Sequence, residues 1–408
     1  GKPKISNGFR FTGGDMSLID WALYDWSNVY NFSHFFTNCT ASDPTWTIRF
    51  GEQVINKMDH PICFDNMFVG SKFTELDLSS WDTSRVISMS ALCYNCKDLT
   101  KINITGWDYS GLMSPDDCLV SIGGSPLLDS GTSVMFGSSN ISEIIGPVFL
   151  GKYMSRYIQG TGSGYSSMNW APQPFTSNNL GYPDLIFDDD LTRLDYYFYN
   201  IQSNDLSKLS NINTSNVTSI SNIFYQNQSM TSLNDISGWD THNVKDMSYA
   251  FYNCKNLSNI EALNNWDLGK VEDLSYTFGA SYSSNKVPIN SINMSIFTNP
   301  NGYKMDYTFM YSDIQNIEGV CRPTSLRYAF EQSKITKVTI DLSQCTNITQ
   351  CFNQCKNLVE VTLMGDPSKL TTISNVFSGA KSGVTLYYDS NYDYSQLSIP
   401  SSWTQIPL

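Results

Sequence analysis

Apolar residues recur along the chain with a period of about 27 residues. In one complete copy they occupy the positions Val244, Met247, Ala250, Phe251, Cys254, Leu257, Ile260, Leu263 and Trp266. The copy 27 residues earlier fills most of the same positions with Val217, Ile220, Phe224, Met230, Leu233, Ile236 and Trp239. A repeat of this size predicts units that cannot bury their own apolar faces and therefore stack on their neighbours.

The position of Phe251 in each copy, here called the Phe slot, can be followed almost from end to end. It is filled by Phe36, Phe68, Cys93, Phe136, Ile158, Phe198, Phe224, Phe251, Phe278, Phe309, Phe330, Phe352 and Phe377. Apolar partners four and seven residues earlier share one face of a helix, so we expect each unit to begin with one or two helical turns. The alternation at Leu358-x-x-Val361-x-Leu363 predicts a strand downstream of the Phe slot.

A Trp-Asp pair closes four of the longer units, at Trp81-Asp82, Trp107-Asp108, Trp239-Asp240 and Trp266-Asp267. The Trp can cover the edge of the core. We expect the Asp, or a following Thr or Ser, to cap the next helical turn rather than to bind a ligand.

This pattern resembles the BspA-type leucine-rich repeat family. The resemblance rests on Trp81-Asp82-Thr83-Ser84-x-Val86-x-x-Met89 and on the stretch from Trp239 through Met247 and Phe251 to Leu257, and it covers about 29–108 and 191–380. It implies a right-handed α/β solenoid with one parallel β-sheet and short helical turns, outside the cell and used for adhesion or recognition. It supplies no catalytic residues.

The repeats predict one elongated unit of about 12 coils. Its predicted parts are an N-terminal cap at 1–28, repeats at 29–108, irregular coils with long loops at 109–190, repeats at 191–380 and a C-terminal cap at 381–408. The predicted repeat core comprises Val217, Phe224, Trp239, Val244, Met247, Phe251, Cys254, Leu257, Trp266, Phe278 and Phe352.

Charge and composition restrict the partners. Only 15% of the residues are charged and the net charge is −13, with no basic run. Nucleic acid and anionic membrane are therefore poor partners. No apolar stretch is long enough to cross a membrane. The abundance of Tyr, Ser, Asn and Gly is typical of adaptable binding surfaces, although a biased genome composition explains it equally well.

Four of the ten cysteines, Cys39, Cys96, Cys254 and Cys355, lie three residues after the Phe slot, where Ser71 and Ser312 stand in other copies. A position shared by Cys and Ser predicts a small buried side chain that bonds to backbone, as a free thiol. The pair Cys93-x-x-Cys96 lacks the further ligands that a zinc site needs.

Gly and Pro interrupt the pattern between residues 109 and 190. The longest predicted loop is 159–190, and long loops on a rigid scaffold often carry recognition. We therefore predict that Tyr165, Trp170, Phe175 and Tyr182 contact a partner, with a merely tolerated insertion as the equally weighted alternative.

Motifs for chemistry are incomplete. Asp129-Ser130-Gly131 resembles an aspartic peptidase signature, but that chemistry needs two carboxylates and no second copy is present. Gly146-x-x-x-x-Gly151-Lys152 lacks the Ser or Thr of a phosphate-binding loop, because Tyr153 follows. The three histidines have no metal-binding spacing, and Asp188–Asp190 is more simply a solvated acidic turn than a calcium site.

The sequence therefore predicts a non-catalytic extracellular or cell-surface module that binds a protein or glycan, with no cofactor and no metal. A phage virion component, such as a receptor-binding fibre, is the alternative, and a peptidase-like hydrolase around Asp129 is a remote one. The two main hypotheses differ in what precedes Gly1 and follows Leu408, which the sequence leaves open.

Overall fold

The computed structural model describes residues 1–89, 91–112, 141, 143–146, 148–150, 185–187, 191–195, 197–198 and 204–408. The chain forms two compact units, Gly1–Asp188 and Asp189–Leu408. None of the helices in the described ranges has the length and apolar character that crossing a membrane requires.

Among its described residues, the first unit contains one α-helix, α1 (Trp46–Gln53), and short parallel strands. The strands are β1 (Phe11–Thr12), β2 (Phe36–Thr37), β3 (Ile62–Cys63), β4 (Glu75–Asp77), β5 (Val86–Ser88), β6 (Lys101–Asn103), β7 (Glu143–Ile145), β8 (Val148–Leu150) and β9 (Leu185–Phe187). They pair as β1-β2, β3-β5, β4-β6-β7 and β8-β9. Turns of 3-10 helix lie at Met16–Leu18, Trp21–Leu23 and Ile55–Lys57.

The second unit carries the larger sheet, six parallel strands in the order β10-β12-β14-β15-β16-β17. These strands, with the smaller pair β11-β13, are β10 (Ser291–Asn293), β11 (Tyr303–Lys304), β12 (Asn316–Cys321), β13 (Pro323–Ser325), β14 (Lys337–Asp341), β15 (Glu360–Met364), β16 (Thr385–Tyr388) and β17 (Thr404–Pro407). Its 3-10 turns are Ser207–Leu209, Asn234–Ile236, Glu261–Asn265, Ser283–Asn285, Met294–Ile296, Pro367–Lys369 and Ser395–Leu397.

The Phe slots form a continuous column in the second unit. Stacked ring pairs run from Phe198 through Phe224, Phe251, Phe278, Phe309, Phe330 and Phe352 to Phe377, with ring centroids 5.4 to 6.0 Å apart. Phe224, Phe251 and Phe278 are almost completely buried. The solenoid is thus built by stacking equivalent positions of successive coils. This stacking confirms the predicted repeat architecture.

In each unit a further aromatic residue, outside the slots found in the sequence, contacts a slot residue, Phe36 in the first unit and the end of the Phe column in the second. Phe11 stacks on Phe36 at 6.3 Å, and Trp403 lies 4.6 Å from Phe377 at a tilt of 58°. The segment predicted as the C-terminal cap, 381–408, contains the two strands β16 and β17.

The prediction that helical turns precede the Phe slot is wrong. Around Phe251 the backbone donates alternately between coils and within its own coil: Phe251 N–H bonds to Thr277 O at 3.1 Å, and Tyr252 N–H to Tyr249 O at 3.2 Å. The segment is a series of turns, since a helix would need every N–H for bonds within the coil. Apolar spacing of three and four fits both arrangements. The 3-10 turns instead follow the slot, as at Glu261–Asn265.

The expected single sheet is also only part of the structure. Strand pairing is parallel throughout, but it is divided among six sheets in the described ranges. Between 204 and 290 the coils are joined by isolated bridges such as Ser219–Asp246 and Asp246–Asp273 rather than by strands.

Candidate functional site

Four tyrosines of consecutive coils form a stack on the second unit, here called the tyrosine ladder: Tyr249, Tyr276, Tyr307 and Tyr328. Their ring centroids are 4.3, 4.3 and 4.8 Å apart, with interplanar angles of 9°, 8° and 11°. Each lies two residues before a Phe slot, so the solenoid period itself sets the stacking. All four side chains are half-buried.

The backbone at all four tyrosines is left-handed, with φ between 55° and 61°. This conformation suits Gly and Asn, and a bulky residue in it is an outlier that costs about 1 kcal/mol or more. Other coils also have positive φ at this position, where they hold His34, Asn66, Ala91, Asn222, Gln350 and Asn375. The left-handed turn is therefore a property of the repeat, whereas Tyr at this position is found, among the described residues, in these four coils.

More aromatic and cationic groups border the ladder. Tyr225 and Tyr252 stack at 5.2 Å, and Tyr252 packs edge-on against Tyr249 at 5.4 Å. At the other end, the guanidinium of Arg327 lies 5.5 Å from the ring centre of Tyr307 and 5.4 Å from that of Tyr328. Such cation–π contacts contribute about 0.5–1 kcal/mol at exposed sites.

The hydroxyls of Tyr249, Tyr276 and Tyr307 stay protonated at neutral pH. Burial raises the pKa of Tyr249, Tyr276 and Tyr307 above the ordinary value, and nearby tyrosines add to the rise at Tyr276. A neutral phenol both donates and accepts hydrogen bonds. Because the rings cover one another's faces, the ladder offers edges and hydroxyls, which suits hydrogen bonding and close packing rather than nucleophilic chemistry.

The four residues predicted to contact a partner, Tyr165, Trp170, Phe175 and Tyr182, lie outside the described residues, and their role stays a prediction. The same holds for Asp129, Lys152 and the acidic turn at 188–190. The predicted core residues are all less than 5% exposed: Val217, Phe224, Trp239, Val244, Met247, Phe251, Cys254, Leu257, Trp266, Phe278 and Phe352.

The cysteines pack as the sequence predicts. The nine described cysteines are free and buried. The thiol of Cys254 donates to Phe224 O at 3.1 Å, and that of Cys355 to Phe330 O at 3.0 Å. Each thiol thus bonds to the backbone of the preceding coil.

The Trp-Asp pairs connect coils instead of capping helices. Trp266 Nε1 donates to Ile236 O at 3.2 Å, one coil earlier. Asp240 Oδ1 accepts from the N–H of His242 within its own turn, and Thr241 Oγ1 donates to Asp267 O at 3.1 Å. The predicted helix cap is wrong, because a turn and not a helix follows the Asp. The prediction that these Asp residues make a local structural hydrogen bond is correct.

No cluster of three or more His, Cys, Asp or Glu side chains with metal-binding geometry occurs in the part of the chain that the structure describes. His242 lies at a coil corner, where its Nδ1 is 2.6 Å from Asp240 Oδ1.

The tyrosine ladder was not identified as a site from the sequence. Its signal was present, because Tyr recurs two residues before four consecutive Phe slots. The pattern does not reveal that the backbone at this position is left-handed, a conformation in which Tyr is strained.

Comparison with protein families gives two matches. Residues 15–119 and 192–317 match the family described as "Mycoplasma protein of unknown function, DUF285". Residues 291–398 match the BspA type leucine rich repeat region, in six copies. Together these matches support the resemblance seen in the repeats.

Comparison with solved structures gives two matches, both with a TM-score below 0.5. One is the pneumococcal vaccine antigen PcpA, with 12% identity, 99% of this chain and 91% of that chain covered, and a TM-score of 0.39. The other is a leucine-rich repeat protein from Bacteroides ovatus, with 10% identity, 82% and 78% coverage, and a TM-score of 0.21. No curated protein matches the chain.

Proposed function

The chain belongs to the family described as "Mycoplasma protein of unknown function, DUF285", and it is a BspA-type leucine-rich repeat protein. We propose that it is a non-catalytic recognition module, displayed at an external surface, that binds a protein or glycan partner through the tyrosine ladder. We further expect its solenoid to be right-handed, with about 12 coils.

The observation that carries this proposal is the conformation of the ladder. Four consecutive coils place Tyr where the backbone has positive φ and where other described coils hold Asn, Gln, His or Ala. Backbone strain retained at the same position of four successive coils indicates that the side chain has a function. Stacked tyrosines present a rigid, amphipathic surface with little entropy to lose on binding.

The ladder's electrostatics favour recognition over catalysis. A catalytic hydroxyl needs a neighbouring base or a lowered pKa. Burial instead raises the pKa of Tyr249 and Tyr307, so both hydroxyls are held as neutral hydrogen-bonding groups. With 15% of the residues charged, hydroxyls, amides and aromatic edges are the groups that a partner meets.

The test is a binding screen of the purified chain on a glycan array and on immobilised mucins and extracellular-matrix proteins. The variant carries Tyr276→Asn and Tyr307→Asn, because Asn tolerates the left-handed backbone. The matched control is Tyr387→Asn, a half-buried tyrosine on β16 outside the ladder.

We expect the double variant to weaken binding to any ligand found in the screen by about tenfold or more, because a tyrosine at a binding hot spot costs about 2 kcal/mol or more when it is removed. The control should bind within about twofold of the parent chain. Equal binding by the parent chain and the double variant would remove the ladder from the proposal.

A further inference from the structure

The backbone ladder between coils is interrupted next to the six-stranded sheet of the second unit. At the steps on both sides of the interruption, two consecutive N–H groups of the later coil bond to one carbonyl of the earlier coil. Ser258 and Asn259 donate to Thr231 O in this way, and Gln315 and Asn316 donate to Asn290 O. Between these two steps, within the described range 204–408, no backbone hydrogen bond joins 258–264 to 290–296.

The interruption falls at the free edge of the six-stranded sheet. Strand β10 pairs with β12 on one side only, and the preceding coil contributes the 3-10 turn Glu261–Asn265 instead of a strand. The intervening coil is also longer, since 31 residues separate Phe278 from Phe309 against 27 between Phe251 and Phe278. The extra residues carry the separate turn Ser283–Asn285.

An open groove of about 760 Å³ occupies this place, here called the edge groove. One wall is Ser258–Glu261 with Asn264, and the other is Asn290–Asn293 with Glu318. An extended chain laid along β10 at the usual strand spacing of about 4.8 Å would supply the pairing that the preceding coil does not. Added strands of this kind gain affinity from backbone hydrogen bonds.

A β-bulge places an acidic side chain at the groove. The pairing of β12 with β14 shifts by two residues between Asn316 and Val320. Gly319, in the bulge, has a φ of 79°, and a Cβ there would lie 3.0 Å from Ser295 N. Bulges redirect side chains next to functional sites. Here the neighbouring Glu318 lines the groove.

The groove walls carry negative charge without a compensating cation. Glu261 and Glu318 are exposed, and all twelve lining residues, which are described in full, lack Lys and Arg. The remaining polar groups are amides and hydroxyls such as those of Asn259 and Ser291. These groups complement a chain that bears basic side chains.

We propose that the edge groove binds an extended, basic peptide segment of a partner protein, which pairs with β10 as an added strand between the two coils. A peptide is favoured over a glycan because one wall is the open edge of a strand, whose N–H and C=O groups match those of another backbone. The site goes beyond the tyrosine ladder and uses different residues, so either proposal can fail alone.

The test begins with a displayed library of random ten-residue peptides selected on the purified full chain. The best binders are then synthesised and measured by fluorescence anisotropy against the parent chain, against Glu261→Lys with Glu318→Lys, and against Glu75→Lys. Glu75 is an exposed glutamate on β4, outside the groove, and serves as the matched control. A second peptide series carries N-methyl groups on alternate residues, which removes backbone donors and leaves the charge unchanged.

We expect binders rich in Lys and Arg whose affinity falls about tenfold or more on the double substitution, as for the loss of charge-assisted bonds, and remains within about twofold on Glu75→Lys. N-methylation in one of the two alternate registers should abolish binding. Circular dichroism of the double variant checks that the fold is retained.

Three outcomes overturn the proposal. The first is a selection without binders, and the second is binders that tolerate the groove substitutions or N-methylation in both registers. The third is an oligosaccharide whose binding depends on Glu261 and Glu318, because it would assign the groove to a glycan.

Discussion

The rings of Tyr276 and Tyr307 lie 4.3 Å apart and within 8° of parallel, and each belongs to a residue with left-handed backbone. Two opposing terms therefore meet at each tyrosine. The stacking contributes about 0.5–1.5 kcal/mol, and the backbone strain costs a similar amount.

Because these terms nearly cancel, we expect Tyr276→Asn to change the free energy of unfolding by no more than about 1 kcal/mol. Urea denaturation followed by circular dichroism measures this. A loss above about 3 kcal/mol would show that the ladder is needed for folding, and would weaken its assignment as a binding surface.

Phe251 should behave differently, because it is completely buried between Phe224 and Phe278. We expect Phe251→Ala to destabilise the fold by about 3–5 kcal/mol through lost contacts and the remaining cavity. Phe251→Leu, which keeps most of the volume, should cost less. The same urea titration compares them, and equal costs for the two variants would contradict stacking as the source of stability.

The buried thiols should resist modification. Burial raises the pKa of Cys321, Cys345 and Cys355 to about 12, and thiol reactivity requires both the thiolate and access. With Cys118 replaced by Ser, only the nine described cysteines remain. We expect almost no reaction with Ellman's reagent at pH 8 in native buffer, and nine equivalents in denaturant. Rapid native reaction of several thiols would show that the coils open readily.

Acid should remove one contribution near α1. Hydrogen bonds from Arg49 and Thr45 lower the pKa of Asp43 from 3.8 to about 2. A carboxyl with a lower pKa in the folded state stabilises the fold above its unfolded pKa, and this contribution is lost as the pH falls toward the folded value. The stability difference between the parent chain and Asp43→Asn should therefore shrink between pH 4 and pH 2. Urea midpoints across this range measure it, and a constant difference would refute the assignment.

The predicted loop at 159–190 needs a separate test. Deleting 161–181 removes Trp170 and Phe175 and should weaken binding to a ligand identified in the screen if the loop contacts the partner. Surface plasmon resonance of the deletion beside the Tyr276→Asn, Tyr307→Asn variant separates the two surfaces. Unchanged affinity in the deletion alone would leave the ladder as the remaining candidate.

Much of the fold could be predicted because the same pattern of apolar positions recurs from coil to coil. The Phe slot was visible thirteen times in the sequence, and each described Phe at a slot lies in the core. The exchange of Cys and Ser three residues later correctly indicated a small buried side chain bonded to backbone, as Cys254 shows.

The local backbone could not be predicted in the same way. Spacing of three and four residues fits a helix face as well as successive turns, and only the hydrogen bonds between coils distinguish them. Those bonds, such as Phe251 N–H to Thr277 O, depend on a residue one full coil away. The edge groove could not be predicted for the same reason. It lies where the backbones of 258–264 and 290–296, which are distant in sequence, form no hydrogen bond.

The alternating backbone pattern around Phe251 also determines how the second unit would respond to a pulling force. Because each coil in a solenoid is held chiefly by its immediate neighbours, tension should peel the chain away one loop at a time. A 27-residue loop releases about 90 Å of slack when extended. A tether built in this way yields in small steps and keeps the untouched coils, with any ligand on them, intact.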